Sequence, residues 1–185
     1  MAQAVSGLHV RALATAAAVL VGAPAWAVGS DAGSPPSTTQ TSQCPQGYVY
    51  SAQAGGCVRI QDSGLSDDQL FENARELAYA GRHDDARAAL MAMSEGETSR
   101  VLTYLGYLSR KSDEPEAALR HYGEALRIDP DNLLARSYMG QGFAEEGDLT
   151  AAKLQLTEIR MRGGRGTWPE IALRMAIESG RGTSY

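Results

Sequence analysis

The chain has 185 residues, enough for one ordinary domain together with processing and linker segments. It carries 17 basic and 22 acidic residues, which gives a formal net charge of -5 at pH 7. This mildly acidic balance has the wrong sign for a nucleic-acid-binding protein, so we expect no nucleic-acid partner.

The amino terminus has the pattern of a secretory signal peptide. A weakly basic start with Arg11 precedes an apolar run from Ala12 to Ala23, and a small-residue cleavage site ends at Ala27. The alternative is a membrane anchor, but a spanning helix needs about 20 apolar residues and this run is shorter. We predict a signal peptide over 1–27 and a periplasmic or secreted mature protein without a membrane span.

A linker and a small cysteine loop are predicted next. Residues 28–43 are rich in Ser, Thr, Gly, Pro and Gln, a composition typical of a disordered linker. Residues 44–62 contain two alternating segments around a glycine turn, with Cys44 before and Cys57 after that turn. Because an exported protein meets oxidising conditions, we predict a Cys44–Cys57 disulfide that closes a β-hairpin.

From Ser66 onward the apolar residues recur every three to four positions, which predicts amphipathic helices. Ser66 and Gln69 form a candidate capping box at the first helix. The strongest pattern is an internal repeat marked by pairs of small residues twelve positions apart. These pairs are Ala74 and Ala86, Gly106 and Ala118, and Gly140 and Ala152.

Each repeat is predicted to be a helix-turn-helix unit. Turns are expected at Gly81, Asp113 and Gly147, and Asp113 with Glu116 is a candidate helix start. A small residue on each helix lets the two backbones approach closely, while large apolar residues fill the space around them.

The middle unit, YLGYLSRKSDEPEAALRHYGEALRIDP, resembles the tetratricopeptide repeat (TPR) family, with its Leu-Gly, Ala, aromatic, Ala and Pro frame. The flanking units match in part, and both lack the closing proline. The resemblance implies an all-α fold, an αα-superhelix of about three repeats over 66–179. Thr167 and Glu170 are a candidate capping box for a final sealing helix that ends near Ser179, before a tail at 180–185. The whole arrangement is also similar to exported bacterial TPR proteins with a cysteine loop.

The sequence contains no recognisable catalytic, metal-binding or cofactor-binding motif. The histidines of the mature chain, His83 and His121, lack a second ligand at metal-binding spacing. The glycines at 163–166 lack the lysine of a phosphate loop and are predicted to form a turn. We therefore predict a non-enzymatic protein without metal or cofactor.

The resemblance places the concave face of the array on the first helix of each unit, where we expect an exposed peptide-binding groove. The matching positions are Phe71, Arg75, Tyr104, Tyr107, Arg110, Lys111, Tyr138 and Gln141. Exposed aromatic and arginine side chains are typical of binding surfaces, although each tyrosine here could instead pack between helices.

We predict that this groove binds an extended peptide or a helix of a protein partner that the sequence does not identify. Two alternatives stay open. Tyr48 and Tyr50 of the cysteine loop could stack on envelope glycans, or the array could self-associate as a structural homo-oligomer with Trp168 between copies.

Overall fold

The computed structural model describes residues 39–182 together with Met1. The predicted signal peptide beyond Met1, and the predicted linker up to residue 38, lie outside the described residues. Residues 39–182 belong to one compact unit that is mostly helical, with a two-stranded antiparallel hairpin before the helices. The prediction of an all-α fold preceded by a disulfide-closed hairpin is confirmed.

The described elements run in the order of two strands and then seven helices. The strands are β1 (Tyr48–Ser51) and β2 (Gly56–Arg59). The helices are α1 (Asp67–Tyr79), α2 (His83–Met91), α3 (Ser99–Lys111), α4 (Pro115–Ile128), α5 (Leu133–Glu145), α6 (Leu149–Met161) and α7 (Trp168–Ser179). Short 3-10 turns flank the hairpin at Thr41–Gln43 and Ile60–Asp62.

The hairpin packs its apolar side on the helices. Tyr48 pairs with Arg59 and Tyr50 pairs with Cys57, while the predicted bridge joins Cys44 to Cys57. Val49 is fully buried in the same apolar cluster as residues of α1 and α2. Because two strands alone are marginally stable in water, this packing and the disulfide together hold the hairpin in place. The bridge also indicates an oxidising environment.

The helices form three hairpins, α1 with α2, α3 with α4, and α5 with α6. All three hairpin turns use the same geometry at the predicted turn residues: Gly81, Asp113 and Gly147 have φ values of 76°, 59° and 84°. In each, the next residue's N–H bonds the carbonyl five residues back, as Arg82 does to Leu77. The third hairpin is sealed by α7, which packs on both α5 and α6 and ends at Ser179 as predicted.

Small residues at the repeated positions permit close helix packing, as the sequence predicts. A Cβ at Gly106 would lie 2.5 Å from Cε1 of Tyr122, and one at Gly140 would lie 2.7 Å from Cδ2 of Leu173. Both distances are shorter than ordinary carbon contacts, so a larger residue at either position would force its neighbour to shift.

The helix caps agree with the sequence in part. The Ser66–Gln69 capping box is present, with both reciprocal bonds. Asp113 does not start α4, because it occupies the left-handed position that ends α3 and Glu114 takes the cap position. Thr167 does not form the predicted capping box, since its hydroxyl donates to the Gly164 carbonyl and Glu170 pairs with Arg160 instead.

The predicted linker ends earlier than expected, because Thr41–Gln43 is an ordered turn against α1. Thr41 is buried and its hydroxyl bonds Asn73, while the Ser42 N–H donates to Glu76 at 2.6 Å. Within residues 39–182, no helix combines the length and apolar character of a membrane span.

Candidate functional site

The residues predicted to line a peptide groove lie on α1, α3 and α5, three helices that pack side by side. The structure brings their aromatic members together but does not leave them exposed. Phe71, Arg75, Tyr104, Tyr107, Tyr138 and Gln141 are all between 0 and 8 per cent exposed. The expectation that they form an exposed surface is therefore wrong, although binding through this side of the array stays a prediction.

The physical reason for this burial is a cluster of tyrosines that joins all three helical hairpins. The Tyr79 hydroxyl bonds the hydroxyls of Tyr104 at 2.9 Å and Tyr138 at 2.5 Å. Arg75 Nε donates to the Tyr104 hydroxyl at 3.1 Å. Phe71 and Tyr104 pack edge to face with centroids 5.3 Å apart, while the Tyr107 ring is tilted against those of Tyr104 and Tyr138. Shared hydroxyl bonds and ring contacts stabilise the cluster as packed core.

Tyr79 is the member of this tyrosine cluster that sequence reasoning missed. It lies four residues after Arg75 on α1, so both side chains point to one face of the helix. That spacing is the signal that could have identified it.

Lys111, at the end of α3 beside the tyrosine cluster, is more accessible than the residues of that cluster. The charged ends of Arg110 and Lys111 lie 5.6 and 5.7 Å from the centroid of the Tyr107 ring. Lys111 is half-buried, and burial together with the neighbouring Arg110 charge lowers its pKa. This end of α3 presents cations over an aromatic ring, a combination that contributes to binding surfaces.

A pocket of about 210 Å³ lies beside Arg110, between the α3–α4 turn, α4 and α5. Its base is buried and is formed by Arg110, Ala118 and Tyr122, while its rim carries exposed acidic residues. The residues that line it are Arg110, Asp113, Pro115, Ala118, Leu119, Tyr122, Met139, Gly142, Glu145 and Glu146. Apart from Arg110, sequence reasoning did not assign any of them to a site.

Within the described residues, the Arg110 guanidinium is hydrogen-bonded through one of its three nitrogens only. Its Nη1 donates to both oxygens of Glu145, at 2.8 and 2.7 Å, and the Glu145 carboxylate also accepts from the Gly182 N–H. Gly142 lets α5 approach the arginine stem, because a Cβ there would lie 3.3 Å from Arg110 Cδ. The arginine is thus positioned with its side chain 6 per cent exposed.

Three buried polar atoms at this base have no hydrogen-bond partner: Arg110 Nε, Arg110 Nη2 and the Tyr122 hydroxyl oxygen. Burial raises the pKa of Tyr122 to about 12, and the adjacent Arg110 charge opposes that rise. The hydroxyl is therefore protonated at neutral pH and can donate. The Arg110 guanidinium and the Tyr122 hydroxyl lie close enough to shift each other's pKa, but the hydroxyl makes no hydrogen bond of ordinary geometry in the described part of the chain.

Arg82 holds the cysteine loop on the first helical hairpin by donating hydrogen bonds to backbone carbonyls of the loop. Arg82 donates to the carbonyls of Thr41, Ser42, Cys44 and Pro45, the Cys44 bond being 2.6 Å long. Asp85 pairs with Arg82 and also accepts from the Gly47 N–H at 2.8 Å. The loop is therefore an integral cap of the array.

Two residues of the alternative hypotheses adjoin this docked segment, because the Tyr48 N–H donates to the Pro45 carbonyl and the Tyr50 N–H donates to the Thr41 hydroxyl. Tyr48 and Tyr50 are half-buried, and the centroid of the Tyr48 ring lies 6.0 Å from the Arg59 guanidinium carbon. Trp168 is half-buried in the first turn of α7.

His83 and His121 have lowered pKa values, chiefly through burial. In the part of the chain that the structure describes, no group of three His, Cys, Asp or Glu side chains could hold a metal ion.

Comparison with known proteins finds two curated relatives. Over 98 residues the chain is 30% identical to the probable biofilm formation methyltransferase WspC of Pseudomonas aeruginosa. Over 99 residues it is 32% identical to the protein of the same name from Pseudomonas putida. Each match covers 52% of this chain but only 22% and 23% of the relatives, so the chain spans about a fifth of their length. No protein-family model and no solved structure matches.

These relatives correct one prediction from the sequence. The expectation of a non-enzymatic protein rested on missing catalytic motifs, and it is wrong because both relatives are named as methyltransferases. The similarity is distant and partial, and it leaves the predicted partner binding untested.

Proposed function

We propose that this chain is an exported protein of the TPR type that binds a segment of a protein partner at the basic end of α3. Three helical hairpins with equivalent turns and glycine contacts support a repeat array, and such arrays present extended binding surfaces. The disulfide supports export to an oxidising compartment such as the periplasm, following removal of a signal peptide.

The observation that carries this proposal is the pair of cations over Tyr107. Since the centre of the tyrosine cluster is buried, a partner meets the array where the half-buried Lys111 reaches the surface, beside the buried Arg110 and Tyr107. Arginine and aromatic side chains together contribute disproportionately to binding energy. An extended peptide or a helix with acceptor groups fits this end of the array.

Photo-crosslinking in the cells that produce the protein tests this proposal. A photoreactive residue replaces Lys111 in one variant and Arg127, exposed on the outer helix α4, in the matched control. We expect one defined protein adduct from position 111 and none from position 127. Lys111→Glu should weaken recovery of that adduct's partner, and Arg127→Glu should not. Equal crosslinking at both positions, or none at 111, contradicts the proposal.

A second candidate function follows from the two relatives. We propose that the array serves a methyltransferase, either as a segment of a longer enzyme or as its bound partner. The test incubates the full chain, alone and with the crosslinked partner, with labelled S-adenosylmethionine, a general biological methyl donor, and follows the label transferred to either protein as methyl acceptor. Methyl transfer that depends on the chain supports this function, and its absence from both reactions contradicts it.

A further inference from the structure

The base of the pocket beside Arg110 is built to donate hydrogen bonds that nothing in the described chain accepts. Arg110 Nε, Arg110 Nη2 and the Tyr122 hydroxyl are all buried and unpartnered. Leaving such groups unpaired in a folded protein is costly, and most buried polar atoms have partners. A ligand that brings an acceptor oxygen would satisfy these donors.

The rim of the pocket limits what that ligand is. Asp113, Glu145 and Glu146 line it, and the charge of Arg110 is already paired with Glu145. The lining thus has one cation and three carboxylates, an environment that repels a carboxylate or phosphate. The ligand therefore offers an acceptor to the base and donors to the rim without a negative charge.

The size and walls of the pocket restrict the ligand further. A volume of about 210 Å³ is below the range of about 300–1,000 Å³ that is usual for drug-sized ligands and cofactors, so it suits one side chain. Pro115, Leu119 and Met139 supply apolar walls for an aliphatic stem.

We propose that this pocket binds the side-chain carboxamide of a glutamine or asparagine. The amide oxygen accepts from Arg110 and from the Tyr122 hydroxyl, and the amide nitrogen donates to the rim carboxylates, of which Glu145 already lies against the guanidinium. The two lone pairs of that oxygen accept from two of the three unpaired atoms, one on Arg110 and the other the Tyr122 hydroxyl. This assignment rests on the proposed function in one respect, that the partner protein supplies the amide.

Three short peptides test the chemistry without the partner. They are acetyl-Gly-X-Gly-amide with X as glutamine, glutamate or lysine, and they are titrated into the ¹⁵N-labelled, oxidised full chain. The observed signal is the side-chain Nε–H resonance of Arg110, assigned by its loss in Arg110→Lys. We expect the glutamine peptide to shift this resonance saturably, with a Kd on the order of 1–10 mM for so small a probe.

The expected selectivity separates the side chain from the peptide backbone. The glutamate and lysine peptides should bind at least about tenfold more weakly, since each loses a hydrogen bond to a charged group. Equal shifts with all three peptides would assign the binding to backbone amides and overturn the proposal. Preference for glutamate, or no shift with any peptide, would overturn it as well.

Tyr122→Phe provides the matched variant. It keeps the ring over Gly106 and removes only the buried, unpaired hydroxyl, so the fold should be no less stable. We expect glutamine-peptide binding to weaken by about three- to tenfold, while Tyr48→Phe in the distant hairpin leaves it unchanged. An unaffected Tyr122→Phe contradicts the assignment. If the peptide binds but crosslinking at position 111 fails, the pocket stands and the proposed partner site does not.

Discussion

Gly106 lies directly beneath the ring of Tyr122, so that a Cβ at position 106 would be 2.5 Å from Cε1 and 2.6 Å from Cδ1 of that ring. The two residues pack the helices of the middle hairpin against each other. The ring is almost fully buried and cannot move away without losing its packing. This contact explains why the small residue of the repeat is a glycine here.

We predict that Gly106→Ala destabilises the protein by about 1–3 kcal/mol, because the added methyl group overpacks the α3–α4 interface. The matched control is Gly123→Ala on the exposed side of α4, where a Cβ would have no atom within 4 Å. There alanine should stabilise by about 0.5–1 kcal/mol, as expected for an open helical position. Urea unfolding of both variants measures the difference, and equal effects would contradict the prediction.

The repeat frame could be predicted because its determinants are local. The turn positions at Gly81, Asp113 and Gly147 follow from chain spacing, and all three adopt the left-handed conformation. The Ser66 cap follows from a four-residue pattern. Such features depend on neighbouring residues in sequence, so their chemistry is visible without a fold.

The burial of the residues predicted to line the groove could not be predicted, because it depends on contacts between hairpins. Tyr79 and Tyr138 are 59 residues apart, and their hydroxyl bond appears only when α1 and α5 face each other. The pocket beside Arg110 likewise needs Tyr122 from α4 and Glu145 from α5. The repeat pattern of a family predicts which helix face such residues share. It does not predict how closely the faces of neighbouring helices pack.

The docking of the cysteine loop gives a second prediction. Arg82→Ala removes four bonds to loop carbonyls and leaves Asp85 without its cation. Since a hydrogen bond to a charged group contributes about 1.5–3 kcal/mol, we expect a loss of at least about 2 kcal/mol. Amide hydrogen exchange over residues 41–51 should rise more than exchange in α5.

Arg127→Ala is the control for that variant. Arg127 pairs with Glu124 on the exposed side of α4, where both side chains are more than half exposed. Such a surface pair contributes at most about 1 kcal/mol, so its loss should change neither loop exchange nor stability by much. If Arg82→Ala behaves like this control, the loop is not held by the arginine.

The disulfide gives a third prediction, which separates covalent closure from docking. Cys44 and Cys57 are 13 residues apart, and closing a loop of about this length is worth about 3 kcal/mol in the chain-entropy model. Cys57 is exposed, so a thiol reductant can reach the bridge. We expect reduction to lower the free energy of unfolding by about 2–4 kcal/mol, measured in urea with and without reductant.

A double variant extends this measurement. Because the bridge and the Arg82 bonds hold the same segment, their effects should not add. Reduction of Arg82→Ala should therefore cost less than reduction of the wild-type protein. Full additivity would show that the two restraints act independently.

The ion pair that anchors α7 gives a prediction for pH dependence. Glu170 Oε1 accepts from Arg160 Nε and Nη2, at 3.0 and 2.7 Å, which lowers the pKa of Glu170 below its ordinary value of 4.5. A carboxyl group with a lowered folded-state pKa stabilises the fold above its unfolded pKa, and that contribution is lost as the pH falls through the folded value. Glu170→Gln should thus be less stable than wild type near neutral pH, and the difference should shrink between about pH 5 and pH 3. Urea unfolding across that range measures how the free energy of unfolding of both proteins depends on pH.

Glu178→Gln, an exposed change on the same helix, should leave that pH dependence as it is in the wild-type protein. A free energy of unfolding that depends on pH equally in Glu170→Gln and in the wild type would contradict a role for this carboxylate in holding α7.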